Sequence, residues 1–404
     1  MLLNRRKSAL LGCLAATGVL TLAAPAGAVP CADLNLPNPI YGSGGSAITA
    51  TLAKVAGALA RLDDPITILW ADPGACIGYE AFVNGDIDAA SVKYWDANDV
   101  QQTCEPGAVA PDFSHMGNTA EFCGEQFELP DGIGDFQGPV QTVNLITDID
   151  SAETAISADA LYRIFGIGPS QSGIEPWVED GFTVARSPSS FVHLFLAESI
   201  QVPPTAFKIE DPTANVLSTQ NDIINRIVAL GATNPDATVG YVSGSAADAR
   251  RADVKTLAYQ HFGQTCGYWP DSSEGALDRA NVRSGQYHFW TPGHFFAEVD
   301  DQGEIVNPIV RDLVGWFDGS RTPPEGLDVT RVVIEAGDIP QCAMRVQREG
   351  VIGAISSYAP PEPCSCYFES IATRRVPASC DACTEDSECG GDKPQCRFGF
   401  CEAY

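Results

Sequence analysis

Positive charge is scarce in this chain. Against 52 Asp and Glu stand only 24 Lys and Arg, a net charge of −28 over 404 residues, and such a surface repels nucleic acid and anionic membranes. Neither is expected as a partner. Long apolar runs are equally few. The one such stretch, Ala9 to Ala24, follows Arg5, Arg6 and Lys7 and ends near Ala26-Gly27-Ala28. It reads as an export signal over residues 1–28, not as a membrane anchor; removing its three cations takes the net charge from −28 to −31. Histidine is rare too: His115, His193, His261, His288 and His294 form no compact ligand motif, and His288 and His294 sit among Tyr287, Phe289, Trp290, Phe295 and Phe296, which suits packing. Internal repeats are absent. No serine elbow exists either, because Gly240-Tyr241-Val242-Ser243-Gly244 has its glycine one place too far upstream for G-x-S-x-G. No catalytic residue, metal or cofactor is therefore assigned, and the chain is not expected to be an enzyme.

Cysteine is plentiful by contrast. Fourteen cysteines in an exported chain point to disulfides. Cys13 leaves with the signal or carries a lipid, since Leu10-Leu11-Gly12-Cys13 resembles a lipoprotein box, although it stands only six residues past Lys7. Arg5-Arg6 resembles a twin-arginine signal with incomplete context. Thirteen cysteines then remain, so one is unpaired or joins another molecule. Cys31, Cys76, Cys104, Cys123 and Cys266 are spread through the body; Cys342, Cys364, Cys366, Cys380, Cys383, Cys389, Cys396 and Cys401 crowd the end. Their connectivity is open. Cys380-x-x-Cys383 imitates a zinc knuckle, but export favours disulfides. The expected location is periplasmic or extracellular, with membrane attachment only through a lipid on Cys13.

The most informative segment is Ile40-Tyr41-Gly42-Ser43-Gly44-Gly45-Ser46-Ala47, a strand that runs through a glycine-serine turn into a helix. Ile48, Leu52, Val55, Leu59 and Leu62 share one helical face, and Ser46 is expected to cap that helix. Such a turn brings backbone N–H groups and the positive helix end to one place, a cradle for an anion. The device recurs. Ile66 to Trp70 reads as a strand, followed by a turn at Pro73-Gly74-Ala75-Cys76 and a helix near Gly78 to Phe82. Residues 97–108 read as a loop, and Ala108 to Phe113 as a strand. Gly138 to Ile146 is an extended run suited to passing between lobes, and Gln286 to Val299 suits the return. In between, Ala158 to Phe165 and Val216 to Leu230 read as helices, Phe182 to Arg186 and Ala237 to Val242 as strands. Ser187-Pro188-Ser189-Ser190 opens a helix carrying Phe191, Leu194 and Phe195.

In order and motif, residues 37–345 resemble the phosphate-binding, PstS-like branch of the type 2 periplasmic substrate-binding proteins. The resemblance rests on Tyr41 to Ala47, Pro73 to Gly78, Gln137 to Asn144, Ala158 to Gly166, Glu175-Pro176-Trp177, Ala185 to Ser190 and Val239 to Val242. It implies two α/β lobes that close on a ligand held by helix N-termini and polar loops. Lobe one would be residues 37–142 with 287–345 and lobe two 143–286, followed by a disulfide-rich extension at 346–404. The ligand set implied is Ser43, Gly45, Ser46, Ala47, Ala75, Cys76, Ser114, His115, Arg186, Ser189 and Ser190. Departures from the family pattern are specific. Ala75 stands where the second loop offers a serine, and His115 stands where an aspartate accepts the proton of phosphate. Pro188, Phe191 and Val192 replace the Asp and the Gly-Thr of the Arg-x-Asp-x-Ser-Gly-Thr motif. Arg186 and Ser190 keep their places, and Arg186 supplies a bidentate fork for an oxyanion. The resemblance implies a small anionic ligand and delivery to the permease of an ABC importer.

Two other readings stay open. A cell-surface interaction protein on the same scaffold would account for the altered loops and the cysteine-rich tail. An exported nicotinamide-dependent oxidoreductase would account for Gly42-x-Gly44-x-x-Ala47, although Asp72, its acidic ribose contact, lies thirty positions past Gly42, beyond the usual ~20.

Overall fold

The computed structural model describes residues 29–86, 91–107, 109–124 and 129–403; the expected export signal and Cys13 lie outside them. A nine-stranded sheet organises the molecule. Its strands are β1 (Pro39–Gly44), β2 (Thr67–Ala71), β3 (Val92–Trp95), β4 (Gln101–Cys104), β5 (Phe113–Met116), β6 (Ile133–Asp148), β7 (Gly240–Ser243), β8 (Val254–Thr256) and β9 (Trp290–Glu298). They run in the order β7-β6-β9-β5-β1-β2-β3-β4, with β8 also on β6. β1 pairs in parallel with β2 and β5, the arrangement that strand–turn–helix units produce.

The sixteen-residue β6 changes partners along its length. Its residues Ile133 to Thr142 pair with β9, whereas Val143 to Asp148 pair with β7 and β8. Partners change between Thr142 and Val143. From Gly138 onward every residue of β6 is buried, which is why its sequence lacks apolar–polar alternation. A further segment meets this point, since Val140 and Ile339 exchange backbone hydrogen bonds of 2.8 and 3.0 Å.

Helix α1 (Thr49–Leu59) buries Leu52, Val55 and Leu59 completely and packs on β2, β3 and the helix Val329–Glu335. Each such side chain contributes about 1.5–3 kcal/mol by leaving water. On the other face of this lobe lies α2 (Ala75–Asn84), whose Tyr79 packs edge-on against Phe296 at 4.8 Å. A larger core runs through the second lobe and the junction, with Leu161, Phe165, Phe195, Tyr241, Phe289 and Phe368.

Several boundaries differ from expectation. Residues 101–104 form a strand rather than a loop: Gln101-Gln102-Thr103 has no apolar pattern, yet β4 is secured as an edge strand on β3 and through the Cys31–Cys104 disulfide. The strand expected at Ala108 to Phe113 lies at Phe113–Met116, beyond Pro111, which has no N–H for a ladder. The helix expected from Val216 begins at Gln220, because the Thr219 hydroxyl accepts the Asp222 N–H at 3.1 Å and restarts the chain there. Ser46 caps nothing. A short 3₁₀ turn, Ser46–Ile48, precedes α1, and Gly45 occupies its cap position.

Six disulfides close among the described residues, and Cys266 is free and exposed. The sulfurs of Cys383, Cys389 and Cys401 cluster, but each is disulfide-bonded, so no zinc knuckle forms. The extension packs on the body. Its helix Ser365–Ala372 places Glu369 2.8 Å from Arg283, whose guanidinium also lies 4.8 Å over the Phe368 ring, while Tyr367 donates to Asp328. Cys342–Cys364 ties this helix to the segment crossing near Ile339. Replacing both cysteines by serine is expected to lower stability by about 3 kcal/mol, the loop-closure contribution of a loop this size, as read from the denaturant midpoint. An unchanged midpoint would show that packing alone holds the extension. Among the described residues no helix is long and apolar enough to cross a membrane.

Candidate functional site

Four chain segments that start helices meet at one small cavity between the lobes. The lining comprises Gly45, Ser46 and Ala47 from the first turn, Gly74 and Ala75 from the second, and His115 and Gly117 from the end of β5. The other wall is Arg186, Ser190, Phe191, Val192 and Gln220. The first N–H groups of any helix have no partner within it, so the segments starting at Ser46, Ala75, Phe191 and Gln220 present donors and positive helix ends here.

Arg186 is the fixed charge of the site. It ends a two-residue strand, is only 4% exposed, and its Nε and Nη1 have no hydrogen-bond partner. Burial pushes its pKa down to about 10, partly offset by Tyr241 and Asp222, so the group is still cationic at neutral pH. Its backbone is held by a relay. The Arg186 N–H donates to the Tyr241 hydroxyl at 3.2 Å, that hydroxyl lies 2.6 Å from His193 Nδ1, and His193 Nε2 lies 2.8 Å from the Pro204 carbonyl. A carbonyl only accepts, so His193 carries its proton on Nε2 and receives the tyrosine hydrogen at Nδ1. A buried guanidinium without a carboxylate is costly unless an anion joins it.

Ser190 caps its helix, its hydroxyl accepting the His193 N–H at 3.4 Å. Across the gap, Ser189 faces Gly74: a Cβ on that glycine would stand 3.7 Å from the Ser189 hydroxyl oxygen. Gly74 has φ of 136°, a conformation side chains resist, and this lets the turn enter α2 close to the opposite lobe. Phe191 reaches further. Its ring would lie 2.6 Å from a Cβ on Gly117, so the phenyl fits only because that position is glycine. The cavity that remains is about 20 Å³, room for about one water.

The expected residues divide. Gly45, Ser46, Ala47, Ala75, His115, Arg186 and Ser190 line the cavity; Ser43, Cys76, Ser114 and Ser189 do not. The Ser43 hydroxyl donates to the Gly78 carbonyl at 2.5 Å, Cys76 is bonded to Cys123, and Ser114 is buried in β5. His115 is held as a neutral group. Its ring packs edge-on against Phe295 at 4.6 Å, and burial, with nearby His294, pushes its pKa down to about 3. It is neutral near pH 7 and carries no charge for a ligand. Asp72, the ribose contact of the oxidoreductase reading, is 2.5 Å from Lys93 and accepts from Thr49 at 3.1 Å. Gly74, Gly117 and Gln220, also on the lining, are outside the expected ligand set. Gln220 was concealed because the helix was expected to begin at Val216; the Thr219-x-x-Asp222 capping pattern was the signal that places it at a helix start.

Burial also lowers the His193 pKa. A lowered histidine pKa means that the unfolded chain binds the proton first. This contribution to stability is full above about pH 6.5 and is lost as pH falls toward the folded values. The melting temperature is expected to fall between pH 7 and pH 4.5, less steeply in His193→Gln, which takes up no proton. Parallel curves would show that His193 does not contribute.

No protein-family model matches the chain, and no curated protein matches it. Solved structures do. One is described as a phosphate ABC transporter substrate-binding protein with bound phosphate from Clostridium perfringens. It aligns with a TM-score of 0.50 at 12% identity over 75% of this chain and 99% of that one. An ABC-type phosphate transport receptor from Vibrio cholerae aligns at 0.49 and 14% identity over 74% and 99%. A Corynebacterium glutamicum OxyR mutant with bound H2O2 aligns at 0.41 and 9% identity over 75% and 67%. The fold is thus the PstS-like, two-lobed periplasmic-binding-protein fold with a cleft between its lobes, to which this chain adds a disulfide-rich C-terminal extension.

Proposed function

We propose that this is an exported solute-binding protein that holds a small oxyanion between its lobes and delivers it to an ABC-type importer. The observation that carries the reading is Arg186, a buried guanidinium with two unpartnered nitrogens on the wall of a cavity surrounded by helix starts. That combination of fixed charge and amide donors is the chemistry of anion binding. We take the lobes as residues 37–142 with 287–345 and 143–286, hinged where β6 changes partners. The ligand set is Gly45, Ser46, Ala47, Ala75, Arg186 and Ser190, joined by Gly74 and Gln220. The cavity of about 20 Å³ is too small for a tetrahedral anion, so entry requires the lobes to part. The Phe191–Gly117 contact is the one that must give way. Export by residues 1–28 fits periplasmic or extracellular work, and the charge of −28 does not oppose a small anion, because nearby donors outweigh distant, screened carboxylates.

A second reading is a surface interaction protein whose cleft is sealed. The Phe191 ring lying across the gap on Gly117 favours it. Calorimetry with phosphate, sulfate and small carboxylates decides between the two. Binding that disappears in Arg186→Ala supports the solute-binding reading. No heat from any anion at millimolar concentration sinks it and leaves the sealed scaffold.

A further inference from the structure

A second cavity, of about 1060 Å³, lies away from the cleft and shares no lining residue with it. Three stretches distant in sequence wall it: Lys54 of α1 with the helix Val329–Glu335, the helix Gly244–Ala249 with Leu277 and Arg279, and the extension from Phe368 to Val376. Its charge is opposite to that of the molecule. Among the described residues, Lys54, Arg251, Arg279, Arg331, Arg374 and Arg375 line it against the carboxylates Asp248, Glu335 and Asp338, in a chain with 24 Lys and Arg to 52 Asp and Glu.

The cations inside are already matched. Arg279, 3% exposed, pairs with Asp248 and Asp271, and Arg251 joins the same two carboxylates. Those at the surface are not. Exposed Lys54 and Arg331 share the single carboxylate of Glu335. Arg374 and Arg375, exposed on the turn after the helix Ser365–Ala372, have no ion pair among the described residues. Leu277 and Val376, 41% and 54% exposed, stand on the same lining. A further cavity of about 460 Å³ adjoins through Lys54, Arg331 and Glu335 and adds Trp95, Leu327 and Val332, so the depression is elongated.

We propose that this trough holds an extended acidic segment of a partner protein. Its unmatched cations are spread over exposed walls instead of converging on one buried point, which suits carboxylates spaced along a chain and not a compact oxyanion. Leu277 and Val376 suit apolar side chains between those carboxylates. Within a Debye length of about 8–10 Å the local cations dominate, whereas a long polyanion such as nucleic acid would meet the surrounding net charge of −28. The site is independent of what the interlobe cleft binds.

Fluorescence anisotropy tests this with the purified full chain and a labelled peptide of Glu, Leu and Ser, about ten residues long and about 35 Å when extended. The peptide is expected to bind with Kd below about 100 μM, and its Gln-for-Glu counterpart about tenfold more weakly or worse. Arg374→Ala with Arg375→Ala, and separately Lys54→Glu on the facing wall, are each expected to weaken binding about fivefold or more. Arg186→Ala is expected to bind the peptide as the unaltered chain does, so the fate of the cleft reading and of this one are separately visible. Weaker binding than about 100 μM, equal binding of the Gln peptide, or no effect of either trough variant overturns the proposal. So does tighter binding of a labelled oligothymidylate of equal charge, which would make the trough a nucleic-acid site. Sedimentation of the chain alone as a dimer that the Arg374 and Arg375 changes dissociate would make the occupant a second copy, and overturns it too.

Discussion

Arg186→Met is expected to cost the protein its anion and to make the empty protein more stable. The two effects share one cause. With no ligand, the guanidinium is buried with Nε and Nη1 unpartnered, and replacing an uncompensated buried charge with an apolar side chain of similar length is neutral to stabilising by about 1–4 kcal/mol. With ligand, the same group is the one fixed cation on the cavity wall, and removing one member of a buried charge pair costs about 2–5 kcal/mol of binding. Calorimetry should therefore show affinity reduced by more than about thirtyfold. A denaturant titration without ligand should show an unchanged or higher midpoint at constant slope. A lower midpoint together with unaltered binding would show that Arg186 is a structural strut, and the proposed site would fall. Arg186→Lys separates charge from shape: a lysine keeps the charge but loses the planar fork, so affinity should be intermediate.

Gly78→Ala is expected to destabilise the protein strongly. A Cβ at Gly78 would stand 2.3 Å from the Gly44 nitrogen and 2.4 Å from its Cα. These are backbone atoms of β1, so no rotamer change relieves the contact. Helix α2 and strand β1 would have to separate, at a cost of about 3 kcal/mol, and the Ser43–Gly78 hydrogen bond of 2.5 Å would be lost with them. Because α2 begins at Ala75 and β1 leads to Ser46, both on the cavity wall, the anion site should loosen along with the core. Thermal melts and calorimetry on the same preparation check both halves. A change in midpoint below about 0.5 kcal/mol, the range of surface substitutions, would mean that helix and strand are not in backbone contact.

Much of this was legible in the chain. The helical spacing of Ile48, Leu52, Val55 and Leu59 placed α1, and all four side chains are fully buried. The stretch Gly138 to Ile146 read as extended, and it falls within β6, which is buried from Gly138 onward. The helices at Ala158 and after Ser190 begin where they were read, capped by Ser157 and Ser190, whereas Ser46, expected as a cap, is not one. Where local signals were weak the reading slipped: Gln101-Gln102-Thr103 carries no pattern, and only pairing with β3 and the bond from Cys104 to Cys31 make it a strand.

What the sequence by itself determined is what local chemistry dictates: an odd cysteine in the body and tail, alternating strands and helices, glycine turns at helix starts, and the residue types available to bind an anion. Hydrogen-bonding and burial periodicities act over a few residues, so they can be read from neighbours in the chain. Only the tertiary structure decided which of those residues face one another. It turned Ser43 and Cys76 into structural ties and buried the His115 ring as a neutral group against Phe295. It brought Gln220 to the cavity and laid Phe191 across the gap on Gly117. Those outcomes depend on how two lobes and an extension pack, contacts between positions up to hundreds of residues apart, and no local spacing encodes them.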